Sequence, residues 1–162
     1  MPANRLAGLK ARESVSQSMD PYADVHKPSG VVVCTACHAI HERGTWKWGE
    51  APTSATSALC PACRRISDRC PAHVLRLEGV PKDQRSELVA MVHRVADEES
   101  REHPLERLMS LDDTADRIEI RTTGVQLPRR LRASIARAFR QRFASKFSTD
   151  HSAMTWKAAF AR

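Results

Sequence analysis

Four cysteines in this sequence stand at spacings suited to holding a metal ion. Cys34-Thr-Ala-Cys37 and Cys60-Pro-Ala-Cys63 are two Cys-x-x-Cys pairs with 22 residues between them. A two-residue gap lets both thiolates of a pair face one ion while the intervening amides donate to sulfur. Two such pairs complete a tetrahedron with zinc–sulfur distances of about 2.3 Å. The connecting stretch slightly exceeds the usual ~15–20 residues, and a hairpin containing Trp46 and Trp48 accommodates the excess. A segment this small cannot bury enough core to fold alone, whereas zinc supplies roughly 10–16 kcal/mol of apparent binding energy. The pattern predicts one structural zinc ion on Cys34, Cys37, Cys60 and Cys63.

Other chemistries fit less well. Cys34-Thr-Ala-Cys37-His38 matches the c-type haem attachment motif. Haem attachment follows export, and residues 1–20 contain no apolar signal core. A thioredoxin-like redox pair needs a βαβ context, which neither pair has. A catalytic zinc keeps a coordination position open, whereas four thiolates close the shell. His38 and His41 flank the first pair; either could replace a cysteine as ligand, but with four thiolates available each is expected beside the ligands or at the surface. Cys70 has no x-x-Cys partner and reads as a small, partly buried side chain. No phosphate-binding glycine loop, nucleophile elbow or His-Glu-x-x-His occurs, so the chain is not expected to be an enzyme or to bind a small-molecule substrate.

Charge is the second chemical signal. The chain of 162 residues carries a net charge of +7, unevenly spread. Residues 74–116 hold 6 Lys/Arg against 11 Asp/Glu, and residues 117–162 hold 11 against 2. A one-signed surface attracts polyanions at long range. Arg129, Arg130, Arg132, Arg137 and Arg140 fall opposite the apolar stripe Leu127, Leu131, Ile135, Ala138 and Phe139 when 127–142 is wound as a helix. A solvated helix face is the plain reading of such a run. Here no acidic residue lies between Arg121 and Lys146, so the arginines lack helical i,i+4 partners. Arginine also suits bidentate phosphate contacts. Arg121, Lys47, Arg64 and Arg65 extend the candidate RNA-binding set. Of Trp46 and Trp48, alternation exposes at most one and packs the other on the knuckles.

These residues need elements to position them. Residues 1–30 are polar and lack apolar periodicity, and they read as a flexible arm. Residues 31–73 read as a zinc ribbon: a strand at Val31-Val32-Val33, a knuckle, a strand within Gly44–Gly49, a loop over Pro52–Ser57, and the second knuckle. Residues 74–162 read as an α+β domain with a basic C-terminal half. Strands are expected at 74–77, 105–111, 117–123, 143–147 and 154–160, and helices at 81–102 and 127–142. The order β-α-β-β-α-β-β fits a two-layer ferredoxin-like α/β sandwich with a C-terminal β-hairpin.

Residues 31–73 resemble a family of small, largely uncharacterised bacterial zinc-ribbon proteins. The resemblance is carried by Cys34-x-x-Cys37, Gly44-Thr-Trp46-Lys-Trp48-Gly49, Cys60-Pro-Ala-Cys63-Arg-Arg-Ile-Ser-Asp68 and Pro71, with His103-Pro-Leu-Glu-Arg-Leu108 and Thr122-Thr123 further on. The ribbon is also similar to the cysteine-rich region of the large-ribosomal-subunit nuclear export adaptor, over about a quarter of the chain. That similarity implies ribosomal or structured-RNA binding. The chain departs from the family at Cys70, where an aromatic residue is usual, and at His73, where glycine is usual.

The expected function is therefore a ribosome-associated RNA-binding protein of the cytoplasm, acting in assembly, stress or dormancy. With 5% aromatic residues, its contacts would run to phosphate and shape rather than to stacked bases. A protein-interaction adaptor, docking through the ribbon or the acidic segment 97–113, is the alternative. DNA binding is weaker, since no helix-turn-helix is evident. No apolar run approaches the ~18 residues of a membrane span, so no membrane partner is expected.

Overall fold

The computed structural model describes residues 21–22, 30–142, 144–148 and 153–160, with only the backbone for 145–148. Most of the expected N-terminal arm and of the turn at 148–152 lies outside the described residues.

The β-branched run at 31–33 becomes β1 (Val32–Cys34), which buries Val32 and Cys34 and leaves Val33 half-buried. β2 (Ile40–Glu42) and β3 (Thr45–Lys47) follow as an antiparallel hairpin, paired from Ile40 with Lys47 to Glu42 with Thr45. Arg43 and Gly44 make its two-residue turn with φ of 53° and 82°. Both central residues are left-handed, the geometry whose twist matches paired strands. β4 (Thr56–Ala58) lies parallel to β1, giving the order β3-β2-β1-β4. Part of the expected 52–57 loop is thus a strand, because β1 offers an open edge that residues 56–58 satisfy.

The second knuckle opens a helix that the sequence reading lacked, α1 (Pro61–Asp68). Its start follows from local chemistry. Cys60 is the N-cap, its sulfur accepting from the Cys63 N–H, and Pro61 takes the first helical position, where no amide donor is needed. The helix ends at Arg69, left-handed at φ 53°.

Beyond it come β5 (His73–Glu78), α2 (Lys82–Glu102), β6 (Leu108–Asp113), β7 (Arg117–Thr122), α3 (Gln126–Phe139), β8 (Ala144–Ser148) and β9 (Ala153–Ala159). The five strands order as β6-β7-β5-β9-β8, and α2 packs beside α3. The α+β class, with a ribbon leading into an α/β domain, is borne out. β8 keeps the direction expected of a strand after the second helix but lies one place further out. β9 folds back into the gap, parallel to β5 and antiparallel to β8.

Register separates the two sheet faces. Leu75, Leu77, Ile118, Ile120, Trp156 and Ala158 share one face and bury against Leu88 and Val92 of α2 and Leu127, Leu131 and Ile135 of α3. The other face presents Arg76, Arg117, Glu119, Arg121 and Lys157. No described helix is long and apolar enough to cross a membrane.

Candidate metal centre

Two local structures bring the cysteines together. Cys34 ends β1 and Cys37 lies in the tight turn after it, where the His38 N–H donates to the Cys34 carbonyl at 3.0 Å. Cys60 and Cys63 sit at the N-terminal turn of α1, where the Cys63 N–H already points at the Cys60 sulfur. All four Sγ atoms lie within 4.8 Å of one another, and Cys37 Sγ is 3.8 Å from Cys60 Sγ. Sulfurs placed tetrahedrally at about 2.3 Å from an ion stand about 3.8 Å apart. The four side chains could therefore hold one metal ion with little adjustment. Convergence of both pairs also argues against haem attachment, which would use Cys34 and Cys37 alone.

Electrostatics within the cluster are uneven. Burial raises the Cys34 thiol, but N–H donors from Cys60, Cys37 and Ala36 outweigh it and lower its pKa to about 6. The Cys60 N–H lies 3.3 Å from Cys34 Sγ. Burial pushes Cys63 up to about 11, and it pushes Cys60 up as well, aided in both by neighbouring thiolate charge. A buried cluster of thiols, whose neighbouring thiolate charges add to the cost of ionisation, is suited to a cation. Trp46 and Leu105 pack against it.

Arg107 is the functional residue that sequence reasoning missed. Its Nη1 donates to Cys63 Sγ at 3.5 Å and its Nε to the Pro104 carbonyl at 2.7 Å. Burial works to lower its pKa, yet its hydrogen bond to Cys37 and the cluster's thiolates raise it. The same guanidinium lies 5.5 Å from the Trp48 ring centroid, and Trp48 Nε1 donates to the Ser100 carbonyl at 2.8 Å. Arg107, Trp48, Asp97 and Ser100 line a cleft of about 320 Å³ where the ribbon meets α2 and β6. The only sequence signal was its place in His103–Leu108, 44 positions from Cys63 and invisible to spacing arguments.

Comparison with protein-family models, curated proteins and solved structures finds no match for the chain. Its residues must carry the functional argument.

His38 is exposed, and His41 is buried 5.4 Å from the Trp46 ring. Trp46 packs on the cysteines while Trp48 is 41% exposed, the expected division between the two. Cys70 is half-buried, and its carbonyl accepts from Arg65 Nη1 at 3.1 Å.

The expected RNA-binding residues divide. Arg132, Arg137 and Arg140 are exposed on α3 or at its end, with the Arg132 guanidinium 5.0 Å from the Trp156 ring. Arg129 is half-buried and engaged in its own interaction. Arg130 has tertiary acidic partners on α2: it pairs with buried Glu99 and lies 3.6 Å from Glu98. Arg121 projects from the open sheet face and pairs with Asp112 at 2.7 Å and with Glu119. Lys47 is exposed but pairs with Glu42 at 2.6 Å, and Arg64 is half-buried. Arg65 requires correction as a surface contact. It is only 4% exposed, held by the Cys70 carbonyl and stacked 4.2 Å from the Tyr22 ring centroid, whose hydroxyl donates to Asp68.

Proposed function

We propose that this chain is a zinc-containing, ribosome-associated RNA-binding protein of the cytoplasm that contacts rRNA through the exposed arginines of α3. The observation that carries the reading is the arc Arg132, Arg137 and Arg140, exposed on the side of α3 opposite buried Leu127, Leu131 and Ile135. Guanidinium groups there suit phosphate contacts, and a phosphate backbone relieves their mutual repulsion. The ribosome is the proposed source of that RNA because the cysteine and tryptophan pattern of the ribbon resembles the export adaptor's cysteine-rich region in sequence. Zinc is the metal this reading assigns, since a closed tetrathiolate set suits zinc or an iron–sulfur centre and the knuckle spacing suits a single zinc.

Two experiments test it. Gentle lysis and gradient sedimentation should find the protein with ribosomal particles at low salt and release it at high salt. Confinement to light fractions in growth and in starvation would refute the ribosome assignment. With purified rRNA fragments, replacing Arg132, Arg137 and Arg140 by Ala should flatten the salt dependence of log K by about 2–3, near 0.7–0.9 per lost phosphate contact. An unchanged slope would refute the arginine face.

A protein-docking adaptor is favoured by a different observation. Trp48, Leu59 and Ile66 of the ribbon are exposed at 41, 38 and 41%. The acidic segment is the weaker dock, because Glu99, Glu106, Asp112 and Asp113 are engaged inside the molecule. Co-purification of a protein after nuclease treatment, lost on replacing Ile66 by Ser, would favour this reading.

A further inference from the structure

Residues 103–108 form a tied turn between two places that sequence keeps far apart. On one side, Leu105 packs against the cysteine cluster and Arg107 donates to Cys63 Sγ at 3.5 Å. On the other, the Glu106 carboxylate accepts from the Val125, Gln126 and Leu127 N–H groups at 3.2, 3.0 and 2.8 Å. Those are the first amides of α3, whose own N-cap, Val125, supplies no side-chain bond. Hydrogen bonds tie the turn between these ends. Thr123 Oγ1 donates to the Leu105 carbonyl at 2.6 Å and accepts from the Arg107 N–H at 2.9 Å, and the Glu106 N–H reaches the His103 carbonyl at 3.0 Å.

We propose that this turn couples the metal centre to α3: Arg107 is a positioning residue seated on the filled thiolate cluster, and its seating fixes Glu106 over the helix N-terminus. A divalent ion with four thiolates is doubly negative, and the Arg107 guanidinium is the described cation against its sulfurs. Without the ion, nothing holds the four sulfurs at one centre, and Arg107 loses a fixed acceptor at Cys63. Leu105 loses a defined surface at the same time. Glu106, between them, then caps α3 less often. The arginine helix is in this way fully capped only in the metal-loaded chain. The inference rests on the metal reading and not on the RNA reading.

Hydrogen exchange on the full chain tests it, with Zn²⁺ as the probe and native mass spectrometry reading occupancy. Removing zinc should raise exchange in the ribbon and at Gln126 and Leu127, while β5 and β7 amides stay protected. The expected change at α3 is about 5- to 150-fold, the usual span of coupling between sites. Arg107→Met should keep one zinc but bind it about 10- to 100-fold more weakly, with fast exchange at Gln126 and Leu127 even when loaded. Coupling is reciprocal, so Glu106→Gln should weaken zinc binding although it touches no sulfur. Zinc affinity unchanged in both variants would overturn the proposal. So would zinc loss that frees the ribbon but not α3, or that frees β5 and β7 equally. A chain that takes up no zinc at all would overturn the metal reading with it.

Discussion

Gly124 offers a sharp test of how α3 begins. A methyl group added there would overlap the Glu106 carboxylate, the group that caps the helix. Gly124 has no positive φ, so its backbone itself accepts alanine. Of the three amides that Glu106 receives, Leu127 is buried and has no water to replace the carboxylate, whereas exposed Gln126 does. Replacing Glu106 by Ala should therefore cost about 2–3 kcal/mol, a capping loss plus one buried donor left unpaired. For a chain of this size that lowers Tm by about 4–12 °C. Gly124→Ala in the natural background should cost about 1–2 kcal/mol, the cap lost less the entropy gained in the unfolded chain. In the Glu106→Ala background the clash is gone, and the same change should stabilise by about 0.4–1 kcal/mol. Denaturant unfolding of all four proteins at fixed excess zinc, followed by helical circular dichroism, gives the cycle. Equal destabilisation by Gly124→Ala in both backgrounds would refute the capping argument.

Three further outcomes are expected. Replacing Cys60 and Cys63 by Ser should abolish stoichiometric zinc in native mass spectrometry and lose the ribbon's exchange protection, since roughly 10–16 kcal/mol of metal binding is coupled to its folding. Zinc uptake should release protons near pH 7, because burial keeps Cys60 and Cys63 protonated in the metal-free cluster while Cys34 is already ionised. The raised thiols mean that affinity climbs with pH, by at least about two protons per zinc, which calorimetry in buffers of different ionisation enthalpy can count. Arg130→Ala should cost about 1–3 kcal/mol in denaturant unfolding by stranding buried Glu99, less than a fully buried pair because Arg130 is half exposed.

Much of this molecule was legible where chemistry is local. The two Cys-x-x-Cys pairs, the alternation of Arg117–Thr122 and the stripe Leu127, Leu131 and Ile135 each declare themselves within a few residues. α1 was readable in principle, since Cys60-Pro61 is a cap followed by proline at the first helical position. β2 and β4, three residues each, carry too little pattern, and partners supplied by tertiary pairing define them. The placement of β9 inside β8 depends on which strand reaches β5, a choice no local pattern encodes. Arg107 and Glu106 act across 44 and about 20 positions, so their roles emerge only once the chain is folded.

Charge shows the same division between what composition gives and what folding spends. The net charge of residues 117–162 suggests one broad cationic surface, but several of its arginines are committed. Glu119 is 3% exposed at the centre of the open sheet face and draws in Arg76 at 2.7 Å, Arg121, and Arg117 at 3.9 Å. A carboxylate so nearly buried needs those cations, so they serve the sheet before any ligand. Arg130 serves Glu99 in the same way. The exposed α3 arginines outside these pairs then narrow to Arg132 at mid-helix and Arg137 and Arg140 at its C-terminal end, where the helix dipole already favours positive charge. That dipole accounts for Arg137 and Arg140 at the helix end but not for Arg132. Under the proposed RNA reading, substituting Arg137 and Arg140, which touch no buried carboxylate or core ring described above, while sparing Arg121 and Arg130 separates loss of RNA contact from loss of fold. A variant set that included those two would confound the results.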